Sequence, residues 1–138
     1  MNILKAIPAV IGGVAAYLWG PWDALIMVLI GVVVLDYLTG VINAVVHHKV
    51  CSAACFTGIL KKVLIFVLVA LAALVDKLVP ATNDAVRAAV IIFYIANEGI
   101  SILENAGEIG LPLPNVLKNA LSKLKAQDEV KEDNTSSK

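Results

Sequence analysis

Long uncharged runs alternate with short clusters of charge along this chain, and the runs have the length of membrane-crossing helices. Ala6 to Trp22 carries no charge, which as a helix is about 25 Å against a hydrocarbon core of about 30 Å. Gly12, Ala16 and Gly20 recur there at every fourth residue, a small-residue stripe that lets another helix approach closely, and Pro8 lies in the first turns, where proline is tolerated. Tyr17, Trp19 and Trp22 gather around Gly20-Pro21, a turn with the aromatic belt of a membrane interface. Because the apolar character continues through Trp22, this segment reads as a first span and not as a cleaved leader.

Ala24 to Val46 is a second span whose only charge is Asp36, near its middle, and His47, His48 and Lys49 end it. Residues 50 to 58 form a connection or the first turns of the next helix. A third span follows over about 59–79, with Lys61, Lys62, Asp76 and Lys77 near its ends, where long side chains snorkel. After the polar turn Pro80 to Asp84, a fourth helix over about 85–107 is apolar on one side only, and Gly110-Leu-Pro-Leu-Pro114 stops it. Residues 110–126 then read as an amphipathic helix, with Leu117, Ala120, Leu121 and Leu124 on one face and Lys118, Lys123 and Lys125 elsewhere, suited to an anionic membrane surface. Residues 127–138 are charged and rich in Ser and Asn, the composition of a disordered tail.

The fold expected is therefore all-α and polytopic. A transmembrane region over 1–109, with spans at about 6–22, 24–46, 59–79 and 85–107, precedes the interfacial helix and the tail. Lys5, Lys49, Lys61, Lys62 and the tail lysines fall on one side and only Lys77 and Arg87 on the other, which with four spans puts both termini in the cytoplasm; with residues 1 to 22 flat in the interface, three spans remain. The second and fourth helices also carry polar stripes. Asn97, Glu98, Ser101, Glu104, Asn105 and Glu108 share one helical face, extended backwards by Tyr94 and Arg87, and the second span has Asp36, Thr39, Gly40, Asn43 and His47.

Counted from Asp23 and Arg87, both Asp36 and Glu98 lie roughly 16 to 20 Å from the outer side at 1.5 Å per residue. A carboxyl at that depth costs about 2.5 to 3.5 kcal/mol unless it meets water or a partner. Two stripes at matching depth need each other, neighbouring subunits or a water-filled lumen. A single intramembrane acid is as well explained by gluing helices within one monomer; the pair is read as a face directed to an oligomer interface or to water. Depth also suggests an ion pair of Glu104 with Lys61 or Lys62 near the cytoplasmic interface.

Composition fits this picture. Of 138 residues 59% are hydrophobic and 16% charged, and mean hydropathy is +0.86, an excess of apolar surface that only lipid can cover. The net charge is zero, so no basic surplus supports nucleic-acid binding. His47, Cys51 and Cys55 fall at i, i+4 and i+8, from which a zinc site can be drawn, but no fourth ligand follows within the segment. Small interfacial residues ending a span explain them more simply, so no metal and no cofactor is expected. No nucleophile stands at a fixed spacing from a histidine, and no glycine-rich phosphate loop is present, which argues against an enzyme.

Several segments resemble the toxin secretion/phage lysis holins found in phages and prophages of Gram-positive bacteria. The resemblance rests on Asp36-Tyr-Leu-Thr-Gly40, Gly58-Ile-Leu-Lys-Lys62, Asp76-Lys77 and, above all, Phe93-Tyr-Ile-Ala-Asn-Glu-Gly-Ile-Ser-Ile-Leu-Glu-Asn105 followed by Gly110-Leu-Pro-Leu-Pro114. It covers Asp36 to about Lys125; the first 35 residues match only in hydrophobicity. What it implies is a small protein that accumulates in the bacterial cytoplasmic membrane, forms homo-oligomers and opens lesions through which an endolysin or a toxin leaves. The polar faces would then be contact or lumen surfaces. Two other classes fit the helices alone: a small ion or solute channel in which Asp36 and Glu98 line a fixed pore, and a membrane anchor for a partner protein.

Overall fold

In the computed structural model, which describes residues 2–117 together with 119, 120 and 123, all regular structure is helical. Four α-helices follow one another: α1 Ile3–Trp19, α2 Ala24–Val46, α3 Ser52–Leu78 and α4 Ala85–Ile109, with a 3₁₀ turn at Pro80–Thr82 before α4. Three of them, α2, α3 and α4, are long and apolar enough to cross a membrane. At 17 residues α1 is apolar but stands at the short limit of the roughly 17 to 25 that a span takes. Residues 115–117 are helical again. The amphipathic helix expected over 110–126 lies largely, and the tail over 127–138 wholly, outside the described residues.

Local chemistry sets the helix limits. The Asp23 carboxylate accepts the Ile26 N–H and caps α2. That helix ends in a Schellman motif, with Lys49 N–H on Ala44 O, His48 N–H on Val45 O, and His48 itself at φ 53. The same motif closes α4, where Gly110 takes φ 101 and Leu111 N–H reaches Ala106 O. The start of α3 is earlier than the third span's expected limit, because residues 52 to 58 are its first turns. This moves Lys62 from near a helix end to about 15 Å inside it.

The opening of α4 is capped from a distance. Asp84 precedes the helix in the left-handed region and its side chain caps nothing. Instead Asp76, near the end of α3, accepts the N–H groups of Val86 at 3.2 Å and Arg87 at 2.7 Å, and the Thr82 hydroxyl at 2.5 Å. Asp76 is thus buried at 4% exposure and does not snorkel as expected. A carboxylate at a helix N-terminus also meets the positive end of its dipole.

The long helices pack unequally. α2 makes its main contact with α4, which runs in the same direction, while α2 and the consecutive α3 touch little and leave a cleft between them. Ile26, Leu29 and Val33 of α2 meet Ile65 and Val69 of α3 and Ile91 of α4 in an apolar core. α1 contributes no buried residue and meets α3 through its last turns. The small-residue stripe expected along α1 does not seat a helix within the monomer: nothing approaches the Gly12 Cβ position within 4 Å, and Gly20 ends the helix.

Candidate functional site

Three buried layers succeed one another along the bundle. At the end where α2 and α4 begin, Arg87 of α4 holds the connection between α1 and α2 at three points. Its Nε donates to Trp19 O at 2.6 Å, Nη1 to the Asp23 carboxylate at 3.0 Å, and Nη2 to Pro21 O at 2.9 Å. The guanidinium's hydrogen bonds hold the Asp23 carboxyl below its ordinary range, helped by the Ile26 N–H and opposed by desolvation. Gly20 makes room for this clasp: at φ 76 it turns the chain, and a Cβ there would meet Arg87 Nε at 2.8 Å. Nearby, Trp19 Nε1 donates to Phe66 O at 2.8 Å, and the Lys77 ammonium lies 3.6 Å from the centre of the Tyr17 ring.

Below the apolar core comes the polar layer. The Lys62 ammonium, reaching across the cleft from α3, forms ion pairs with both Asp36 of α2 and Glu98 of α4. Asp36 and Glu98 are buried, and Lys62 keeps only 19% side-chain exposure. Asn105 Nδ2 donates to Thr39 Oγ1 at 3.1 Å and, at 3.4 Å, to Asp36. Further along, Asn43 donates to Glu108, while Asn43 Oδ1 is buried without a hydrogen-bond partner among the described residues.

Asp36 and Glu98 thus lie at one level of the bundle, and in the monomer the two stripes meet each other. Ser101 and Glu104 continue the α4 stripe half-buried, whereas Asn97 lies on the exposed side. Lys62, expected beside Glu104, has Asp36 and Glu98 as its ion-pair partners; Lys61 is exposed. Two carboxyls at one depth require a cation, and Lys61 and Lys62 were the nearby choices in the chain. Only the earlier start of α3 decides between snorkelling and pairing.

The histidine and cysteine constellation does not come together. Among the described residues no group of three His, Cys, Asp or Glu could hold a metal ion. A shared face for the three would need one continuous helix, but α2 ends before His47 and α3 begins after Cys51. His47 Nδ1 lies 2.9 Å from Asn43 O.

A chain built this way keeps lipid-compatible side chains outside and a charged cluster inside. An uncharacterized protein of Halalkalibacterium halodurans is 41% identical over 130 residues, covering 91% of this chain and 96% of the relative. An uncharacterized protein of Listeria innocua is 44% identical over 110 residues, or 80% and 78% of the two chains. A probable holin of Bacillus phage phi105 is 34% identical over 116 residues, 84% of each. No solved structure matches. The model of the bacteriophage holin family matches residues 13–126, a stretch that contains all three long helices and the whole polar layer, and the chain belongs to that family.

Proposed function

We propose that the protein is a holin that oligomerises in the bacterial cytoplasmic membrane and opens lesions through which an endolysin or a toxin crosses. The observation that carries this reading is the polar layer. A chain whose purpose was only to span the membrane gains nothing from Asp36, Lys62 and Glu98 at lipid depth, where each charge is costly to insert. Stowed between α2, α3 and α4, these groups leave an outer surface suited to lipid. When several copies assemble, the same groups can turn toward water, and the buried, unpartnered Asn43 Oδ1 gains a ligand. Asp36, Thr39, Asn43, Asn97, Glu98, Ser101, Glu104 and Asn105 are the residues proposed for that contact or lumen face.

Induced expression in bacteria tests the function. A holin produces an abrupt loss of membrane potential with release of cytoplasmic protein; graded ion leakage identifies a fixed channel, and unchanged permeability a passive anchor. Glu98→Leu sharpens the test. It leaves the Lys62–Asp36 pair in place, so the protein should still reach the membrane, but it removes a group that favours the hydrated assembly. Lysis is expected to be delayed severalfold or lost, as read from culture turbidity at matched protein levels. Normal triggering by this variant would count against the polar layer.

For topology we propose four crossings, with α1 as a short one and both termini cytoplasmic. Apart from Lys5, α1 presents apolar or small residues on all sides, which suits a span better than a helix lying at the interface. In intact cells, a membrane-impermeant maleimide is expected to label Ala81→Cys in a cysteine-free background. It should spare Asn2→Cys and the natural Cys51 and Cys55. Labelling of Asn2→Cys from outside would reduce the crossings to three.

A further inference from the structure

The cleft between α2 and α3 widens at the inner end into a cavity of about 290 Å³, bounded on its third side by α4. Its deep end is polar, with Asp36, Lys62 and Asn105, and Lys49 and Lys61 stand on its lining from two different elements. Both of these lysines are exposed, and neither has an ion-pair partner among the described residues. The lining also includes Cys51, which precedes α3 at its N-terminus and whose thiol faces the Ala54 and Ala53 N–H groups. Asp36 answers Lys62 within the chamber, so the charge left over is that of Lys49 and Lys61 at its mouth.

A second, apolar crease of about 250 Å³ runs outward along the same two helices. It shares Tyr37 and Lys62 with the first cavity and continues past Ile59 and Val63 to Phe66. A polar, cationic chamber at headgroup level that leads into an apolar furrow at acyl-chain level has the shape and charge of a phospholipid. Phosphate alone would use only the chamber.

We propose that this cleft binds an anionic phospholipid, with the headgroup phosphate between Lys49 and Lys61 and one acyl chain in the furrow beside Phe66. Headgroup hydroxyls can then meet Asn105 and Ser101, which face the same chamber. Basic pockets between membrane helices on the cytoplasmic side are suited to such headgroups, each lysine near the surface adding to their hold. The site depends on the membrane embedding of α2 and α3 and not on lesion formation.

The test uses the full-length protein in detergent micelles, with binding followed by native mass spectrometry and by thermal unfolding. Phosphatidylglycerol should bind and raise the unfolding temperature, and phosphatidylcholine should do so at least about 10-fold more weakly, as should millimolar inorganic phosphate. The Lys49→Gln/Lys61→Gln variant, which touches no buried ion pair, should lose that preference while keeping the wild-type unfolding temperature in phosphatidylcholine. Lys5→Gln/Lys77→Gln removes the same charge elsewhere and should keep the preference. Equal binding of both lipids, an equal effect of phosphate, or an equal loss in the two double variants would each overturn the assignment. Because no readout involves permeability, failure here leaves the holin reading to its own experiment.

Discussion

Replacing Lys62 by methionine should lower the thermal stability of the protein sharply and its yield in the membrane severalfold. Methionine approximates the length of the lysine stem, so packing in the cleft changes little, and the loss falls on the charges. Asp36 and Glu98 would remain buried at lipid depth with their shared cation gone. Breaking a buried ion pair by removing one partner costs about 3 to 5 kcal/mol, a large share of the roughly 5 to 15 kcal/mol by which a domain is ordinarily stable. The companion variant Lys62→Met/Asp36→Asn/Glu98→Gln removes the acids as well and should recover most of the yield, measured as membrane-fraction protein and as thermal unfolding in detergent. Wild-type yield and stability for Lys62→Met alone would show that the triad does not hold the bundle together.

A different kind of failure is expected from Arg87→Gln. Arg87 is 3% exposed and holds the carbonyls of Trp19 and Pro21 together with the Asp23 carboxylate. Hydrogen bonds to charged groups are each worth about 1.5 to 3 kcal/mol, and glutamine cannot span all three acceptors. The link between α1 and the rest of the bundle should open, exposing residues 20 to 23 to protease at several times the wild-type rate, while α2, α3 and α4 stay assembled around the polar layer. Arg87→Lys should not rescue, since a single ammonium lacks the planar fork that reaches Asp23 and both carbonyls.

Acid should weaken the same link in the wild type. Asp23 titrates below its ordinary value in the folded protein, so its contribution is fully present above about pH 3.9 and fades as pH falls through its lowered value. Because Asp23 keeps 39% side-chain exposure, the change should be modest. Unchanged protease sensitivity in Arg87→Gln would show that the clasp does not hold α1 to the bundle.

What could be read in the sequence was whatever depended on neighbours along the chain. The ends of α2 were visible because Asp23 caps one locally and the charged His47-His48-Lys49 follows the other. The shared depth of Asp36 and Glu98 followed from the rise of a helix alone. The pairing of Lys62 is not legible, because a lysine near a span's edge ordinarily snorkels and the small and polar residues 51 to 58 hide the first turns of α3. The contacts of Arg87 with Asp23, 64 residues apart, and the cap that Asp76 supplies to α4 are tertiary, with no local pattern to announce them.

The spacing of the triad along the chain also bears on how the protein is made. Asp36 leaves the ribosome first, its cation follows 26 residues later, and Glu98 comes 36 residues after that. The second helix therefore reaches the translocon with a lone acid and gains its counter-charge only when the third has entered beside it. Release into lipid as a hairpin costs less than release helix by helix, and the last carboxyl arrives at a cation already in place.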